Sequence, residues 1–323
     1  PLCDRLGMRV ANVYSRFTPE PPYNFTAPGI EIVKSLGMGA LLTTMASAIE
    51  HRRPGFEKYT ETALREGIQK LVRTYKDQLP IIIRNGNEAH PADEADAQRM
   101  IAAYKVIYEA VKEIDPNIIV TSTSVGAEEV FFRNGFQRYY DVYDFHQYSD
   151  ADGIPGDFES YEKMISKYGM RKPVWTTEIG LNSQGMSRLA VAIQMVKILT
   201  RFFACGGKNA SWFGIMWPAP DGRLMGSNGE SFDVFNAKYC LYSPKITAIT
   251  EYNMVNAICI KEAVEQKNYS NHAYMALFRD RDGRCLLVAW RDKGRADVFL
   301  PLPGVRSVKA TRIDGSASSL DAS

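Results

Sequence analysis

The stretch Ile81-Ile82-Ile83-Arg84-Asn85-Gly86-Asn87-Glu88 decides the fold. Its apolar half follows Leu79-Pro80 and reads as a short strand. Three isoleucines in a row suit a strand buried on both faces, as in a parallel sheet covered by helices. The second half turns polar and ends on Asn87-Glu88. A buried strand that ends in a carboxylate presents it at the C-terminal mouth of the sheet. In a barrel of alternating strands and helices, that mouth is where chemistry sits. Read alone, Glu88 could equally open the next helix, where a negative charge is favourable. A second strand decides between the two readings. Lys172-Pro173-Val174-Trp175-Thr176-Thr177-Glu178-Ile179-Gly180 is again apolar, bounded by a Pro, and ends on a Glu before a glycine. Two strand-end carboxylates on one rim can face each other across a sugar, as glycoside hydrolysis requires.

Working outward, strands are predicted to start near residues 8, 40, 81, 118, 143, 173 and 212. Helices are predicted over 27–36, 59–78, 93–114, 128–142, 158–168, 187–205 and 243–258. The 93–114 helix places Met100, Ile101, Tyr104, Ile107, Tyr108 and Val111 on one apolar face. The repeat is about 30 to 40 residues, the βα unit of a (β/α)8 barrel. Seven strands are counted where closure needs eight, and open edges are avoided. The expectation is a TIM barrel whose first strand is missing from this chain or supplied by a companion segment or chain. From residue 273 the pattern changes to short strands at 274–278, 285–290, 296–300 and 305–313. They are separated by Asp-Gly, Lys-Gly and Pro-Gly turn signals. The domain reading is a catalytic barrel over 1–260 and a small, incomplete antiparallel β accessory domain over 261–323.

Composition bounds the function. The chain has 323 residues, is 45% hydrophobic and carries a net charge of +2. No basic run exceeds His51-Arg52-Arg53, so neither nucleic acid nor an anionic membrane is implied as a partner. No apolar stretch approaches the roughly 20 residues of a bilayer span. The five cysteines form no CxxC pair and are odd in number, which supports neither structural zinc nor a disulfide framework.

The polar strand ends form one constellation: Asn87 and Glu88; Asp144, His146 and Tyr148, which share a face by period-two spacing; Glu178; and Trp217. Here the sequence resembles the clan A glycoside hydrolases. The matching motifs are Gly86-Asn87-Glu88, His146-Gln147-Tyr148, Thr177-Glu178-Ile179-Gly180 and the strand leading to Trp217. The likeness spans most of residues 7 to 313, and the β segment looks like the accessory domain of family 39 and related groups. The resemblance implies Glu88 as acid/base and Glu178 as nucleophile of a retaining enzyme, with the carboxyl groups about 5 to 5.5 Å apart. It implies Asn87 on the sugar 2-OH, Trp217 as a platform for a ring, and Tyr148 as a hydrogen-bond donor to the nucleophile. His146 would bind a hydroxyl or orient Glu88. The clan usually carries an Arg on strand two beneath the nucleophile. Arg9 and Arg16 are the arginines near that strand here, neither in clear alignment, and Arg16 is the substrate-binding candidate. Ala89-His90 stands where a Pro is common after the acid.

The implied partner is a carbohydrate substrate, with no metal and no cofactor, in a secreted or periplasmic setting. The sugar lies beyond the sequence, because specificity rests in the loops. Two other functions compete. A catalytically inactive, carbohydrate-binding barrel would need neither glutamate. A metal-dependent barrel hydrolase would need more than the four histidines present, none in a His-x-His pair.

Overall fold

The computed structural model describes residues 6–18, 20–44, 60–215, 232–236, 243–269, 272–294 and 307–321. They fall into two compact units. One comprises Pro1–Gln147, Gly156–Ile179 and Lys208–Ser211; the other comprises Tyr148–Pro155, Gly180–Gly207 and Trp212–Ser323.

The first unit is built on parallel strands. They are β1 (Val10–Tyr14), β4 (Gly39–Thr44), β5 (Ile81–Asn85), β6 (Val120–Thr121), β7 (Tyr143–Asp144), β8 (Val174–Ile179) and β9 (Asn209–Trp212), with a hairpin of β2 (Arg16–Thr18) and β3 (Asn24–Thr26) after β1. The order β1-β4-β5-β6 is hydrogen-bonded and parallel, with Ala40 opposite Ile81 and Ile83 opposite Val120. A parallel bridge from Thr121 to Val142 leads on to β7, which pairs β8 in parallel, and β9 follows beside β8. Strands adjacent in sequence are adjacent in space and are connected through helices, the TIM-barrel-like plan. Every residue of β4 is buried, and Ile81 and Ile83 of β5 are buried as the isoleucine run predicts.

The helices start where short polar side chains can cap them. Thr60 Oγ1 accepts from Ala63 N–H ahead of Glu61–Tyr75, and Asp93 accepts from Asp96 N–H ahead of Glu94–Ile114. One expectation differs from the structure. The helix predicted over 128–142 is only Glu129–Arg133 followed by a 3-10 turn, Phe136–Arg138. Gly135 between them has φ 79°, a left-handed residue that ends the helix. The β2–β3 hairpin lies between β1 and the helix Ile30–Ser35. Its Phe17 and Phe25 stack at 4.5 Å between ring centroids. A Cβ at Gly67 of the Glu61–Tyr75 helix would come within 2.6 Å of Phe17, so the glycine lets the helix meet that pair.

The second unit contains the helices Arg188–Ala204 and Ile246–Ile258. It also has an antiparallel sheet in the order β10 (Glu262–Asn268), β11 (Ala273–Arg279), β12 (Cys285–Arg291), and a hairpin of β13 (Ser307–Thr311) and β14 (Ala317–Asp321). The sheet is held to the Arg188–Ala204 helix by cation–π contact. The Arg201 guanidinium lies 3.8 Å from the Tyr274 ring centroid, and Tyr274 packs on Trp290 at 4.3 Å. β10 escapes the sequence pattern because all seven of its residues are exposed. The strand expected at 296–300 lies outside the described residues.

Candidate active site

The site in the first unit begins where β5 ends. Gly86 has φ 89° and Glu88 φ 50°, so the chain turns sharply out of the sheet. A left-handed non-glycine residue costs about 1–2 kcal/mol and is held by its surroundings. Here the Glu88 N–H donates to Thr123 O at 2.7 Å, anchoring the turn to the segment after β6. The Glu88 side chain is about half exposed, 46%, whereas that of Glu178, near the end of β8, is 9% exposed.

His146 joins the two acids. Its Nδ1 lies 2.6 Å from Glu88 Oε1 and 3.5 Å from Glu178 Oε2. One atom each of Glu88, His146 and Glu178 falls within 4.8 Å of the others. The two carboxylates therefore face each other across the imidazole. The hydrogen bond with His146 holds the Glu88 carboxyl below the usual carboxylate range, while burial pushes it the other way.

Arg84 supplies the positive charge beneath them. It is fully buried in β5. Its Nη1 lies 3.2 Å from Glu178 Oε1, 3.0 Å from Thr177 Oγ1 and 3.2 Å from His146 Nε2, and its Nε donates to Thr43 Oγ1 at 2.9 Å. Thr43 in turn donates to Asn12 Oδ1 at 2.9 Å. Tyr14, at the end of β1, points its hydroxyl at Glu178 Oε1 at 3.4 Å, and burial, then the Glu178 charge, push that phenol up, so it remains a donor. Asp144 lies under the group. Its Oδ1 accepts from Thr177 N–H at 2.8 Å, and its Oδ2 accepts from Thr177 Oγ1 at 2.7 Å and Ser124 Oγ at 2.5 Å.

The triad of Glu88, His146 and Glu178 has the donor set of a cation site. The guanidinium 3.2 Å from both Glu178 and His146 already occupies the electrostatic role a cation would take there, and opposes a second positive charge.

Of the residues singled out from sequence, Glu88, Glu178 and His146 come together. Asn87 precedes Glu88, half-buried, and its Oδ1 is buried without a hydrogen-bond partner among the described residues. Tyr148 belongs to the second unit, where its ring meets Phe213 and Phe232 edge-on, each at 5.6 Å. Gly180 is needed in that unit, because a Cβ there would lie 2.6 Å from Phe213 O. Arg16 is exposed on β2. Trp217 lies outside the described residues. Sequence reasoning missed Arg84 and Tyr14 as partners of Glu178, and Thr177 as the link to Asp144. The arginine had a signal: a charge inside a triple-isoleucine strand must be paired when buried.

Parallel strands in barrel order, with carboxylates at the ends of β5 and β8, make a TIM-barrel-like fold, and that fold is similar to those of solved glycoside hydrolases, a family 39 member among them. A family 39 glycoside hydrolase from Bacteroides cellulosilyticus WH2 matches with a TM-score of 0.72 at 16% identity, over 99% of this chain and 75% of that one. A glucosidase from Croceicoccus marinus matches at 0.60 and 13% identity, over 90% of this chain and 76% of that one. An endo-1,4-beta-D-mannanase from Thermotoga petrophila RKU-1 matches at 0.51 and 13% identity, over 79% and 92%. No protein-family model matches the sequence, and no curated protein does.

Proposed function

We propose that this chain is a retaining O-glycosidase acting on an oligo- or polysaccharide, with Glu178 as nucleophile and Glu88 as acid/base. The observation that carries the reading is the facing pair of carboxylates, one oxygen of each within 4.8 Å. That proximity supports the roughly 5 Å spacing of retaining enzymes over the 6.5–9.5 Å that leaves room for a water in inverting ones. The solved relatives are glycoside hydrolases, which supports the same class.

In this reading Glu178 attacks the anomeric carbon as the glycosidic C–O bond breaks. Glu88 gives its proton to the leaving oxygen. Water then attacks the glycosyl-enzyme, Glu88 takes the water's proton, and the Glu178 carboxylate is released. Arg84 and Tyr14 hold the Glu178 carboxylate and leave its attacking lone pair oriented. The Asn87 Oδ1, without a hydrogen-bond partner among the described residues, is suited to accept from a sugar hydroxyl. Tyr148, Trp217 and Arg16 are proposed to complete the sugar site. The domain division at residue 260 belongs to the same proposal.

The test is a screen of aryl glycosides and polysaccharides with the first-formed anomer read by NMR. Retention is expected. Inversion overturns the assignment of Glu178 as nucleophile, and absence of turnover on every substrate favours the inactive binding barrel.

A further inference from the structure

Asp144, Thr177 and Ser124 form a buried polar group that the proposed chemistry does not use. Asp144 is fully buried, Thr177 is 4% exposed and Ser124 2%. Such a group is costly to bury unless its hydrogen bonds are satisfied and directional. Its directions can be followed atom by atom. The Thr177 N–H can only donate, so Asp144 Oδ1 accepts. As a carboxylate, Asp144 also accepts the Thr177 hydroxyl proton at Oδ2, 2.7 Å away, beside that of Ser124. The Thr177 oxygen is then left as an acceptor only. Two donors face it: Arg84 Nη1 at 3.0 Å and His146 Nε2 at 3.0 Å.

Arg84 Nη1 carries two hydrogens and has two oxygens in reach, on Thr177 and on Glu178 at 3.2 Å. With both hydrogens on oxygens, His146 Nε2 gains nothing as an acceptor from Arg84. It gains a hydrogen bond by donating to Thr177. A proton on Nε2 leaves the other ring nitrogen, Nδ1, facing Glu88 Oε1 across 2.6 Å. Nδ1 and Glu88 then share one proton between two heavy atoms.

We propose that Asp144 and Thr177 are positioning residues that fix His146 with its proton on Nε2, so that Nδ1 and Glu88 hold a single bridging proton. The assignment rests on the glycosidase reading only for what that proton does. When the glycosidic bond breaks, it passes to the leaving oxygen; when water attacks, the pair takes one back. Through Thr177, Arg84 and Asp144 thus orient both carboxylates at once. The competing arrangement places the proton on Nδ1, donated to an ionised Glu88, with bare Nε2 accepting from Arg84.

Imidazole 15N NMR separates the two, because a bare ring nitrogen resonates far from a protonated one and the chain has only four histidines. His146→Gln assigns the signal. The wild-type protein is expected to show a protonated Nε2, and Thr177→Val is expected to lose that signature while Thr177→Ser keeps it. A bare Nε2 in the wild type overturns the proposal, and so does a spectrum unchanged in Thr177→Val. If Thr177→Val does not fold, the wild-type spectrum and Asp144→Asn decide on the same criteria. Kinetics add a second reading. Thr177→Val is expected to lose about tenfold on alkyl glycosides, which need a proton, and less than twofold on nitrophenyl glycosides. Equal losses on both overturn the link to Glu88. A protonated Nε2 in a protein without turnover leaves the relay standing and removes the glycosidase reading instead.

Discussion

Arg84 reaches Glu178 from the strand that also leads to Glu88: Nη1 lies 3.2 Å from Glu178 Oε1, and the guanidinium is fully buried. One strand therefore carries the cation for one acid and, four residues on, the other acid. Removing one partner of a buried ion pair leaves a charge without compensation. Arg84→Met is expected to cost about 3–5 kcal/mol in urea unfolding. Adding Glu178→Gln should recover part of that loss, since the orphaned charge is gone. An unchanged unfolding midpoint for Arg84→Met contradicts the pairing.

This pair also marks the limit of what the sequence discloses. The strand at Ile81 is legible, because three isoleucines suit a parallel sheet, and the carboxylate after it becomes legible only beside the second strand that ends on Glu178. The same holds for Val174 to Glu178. The position of Arg84 is not legible, because which strand faces share a layer depends on register. With Ala40 opposite Ile81 and Arg84 opposite Thr121, the guanidinium meets Thr43, Thr177 and His146 at one level. The resemblance directs attention to an arginine on the second strand, and here the arginine beneath the nucleophile candidate comes from β5. Tyr14 escapes for a similar reason, since a tyrosine ending a strand has no local mark of what it faces. β10 escapes because no residue of it is buried.

His146 is the largest influence on Glu88, holding its carboxyl below the usual range while burial opposes. Replacing it removes the largest lowering cause while the effect of burial remains, so Glu88 in His146→Gln should titrate higher. An acid must be protonated to act, so the alkaline limb of the kcat/KM profile should move to higher pH. The profile on an alkyl glycoside measures this. A limb that moves down, or does not move, speaks against Glu88 as the acid partnered by His146.

Glu251, in the Ile246–Ile258 helix, is 3% exposed, and its Oε2 has no hydrogen-bond partner among the described residues. Burial pushes its carboxyl from 4.5 up to about 8. The folded protein thus keeps a proton that the unfolded chain releases. Its contribution to stability is complete below about pH 4.5 and declines as pH rises to about 8, by ~1.4 kcal/mol per pH unit. Glu251→Gln should remove this slope and be more stable than the wild type at pH 8. Urea unfolding from pH 5 to 9 measures both, and a wild-type stability that gains nothing on Glu251→Gln at pH 8 counts against the buried acid.

The central claim is the division of roles between Glu178 and Glu88, and azide rescue of the two alanine variants tests it most directly. Glu178→Ala should be inactive, because no covalent intermediate can form. Azide should restore cleavage of an activated aryl glycoside and give the glycosyl azide of inverted configuration, as the anion enters from the emptied face. Glu88→Ala should keep activity on nitrophenyl glycosides, lose it on poor leaving groups, and give the azide of retained configuration. The reverse pattern would mean that the roles are exchanged, and loss without rescue in both variants contradicts the double-displacement account.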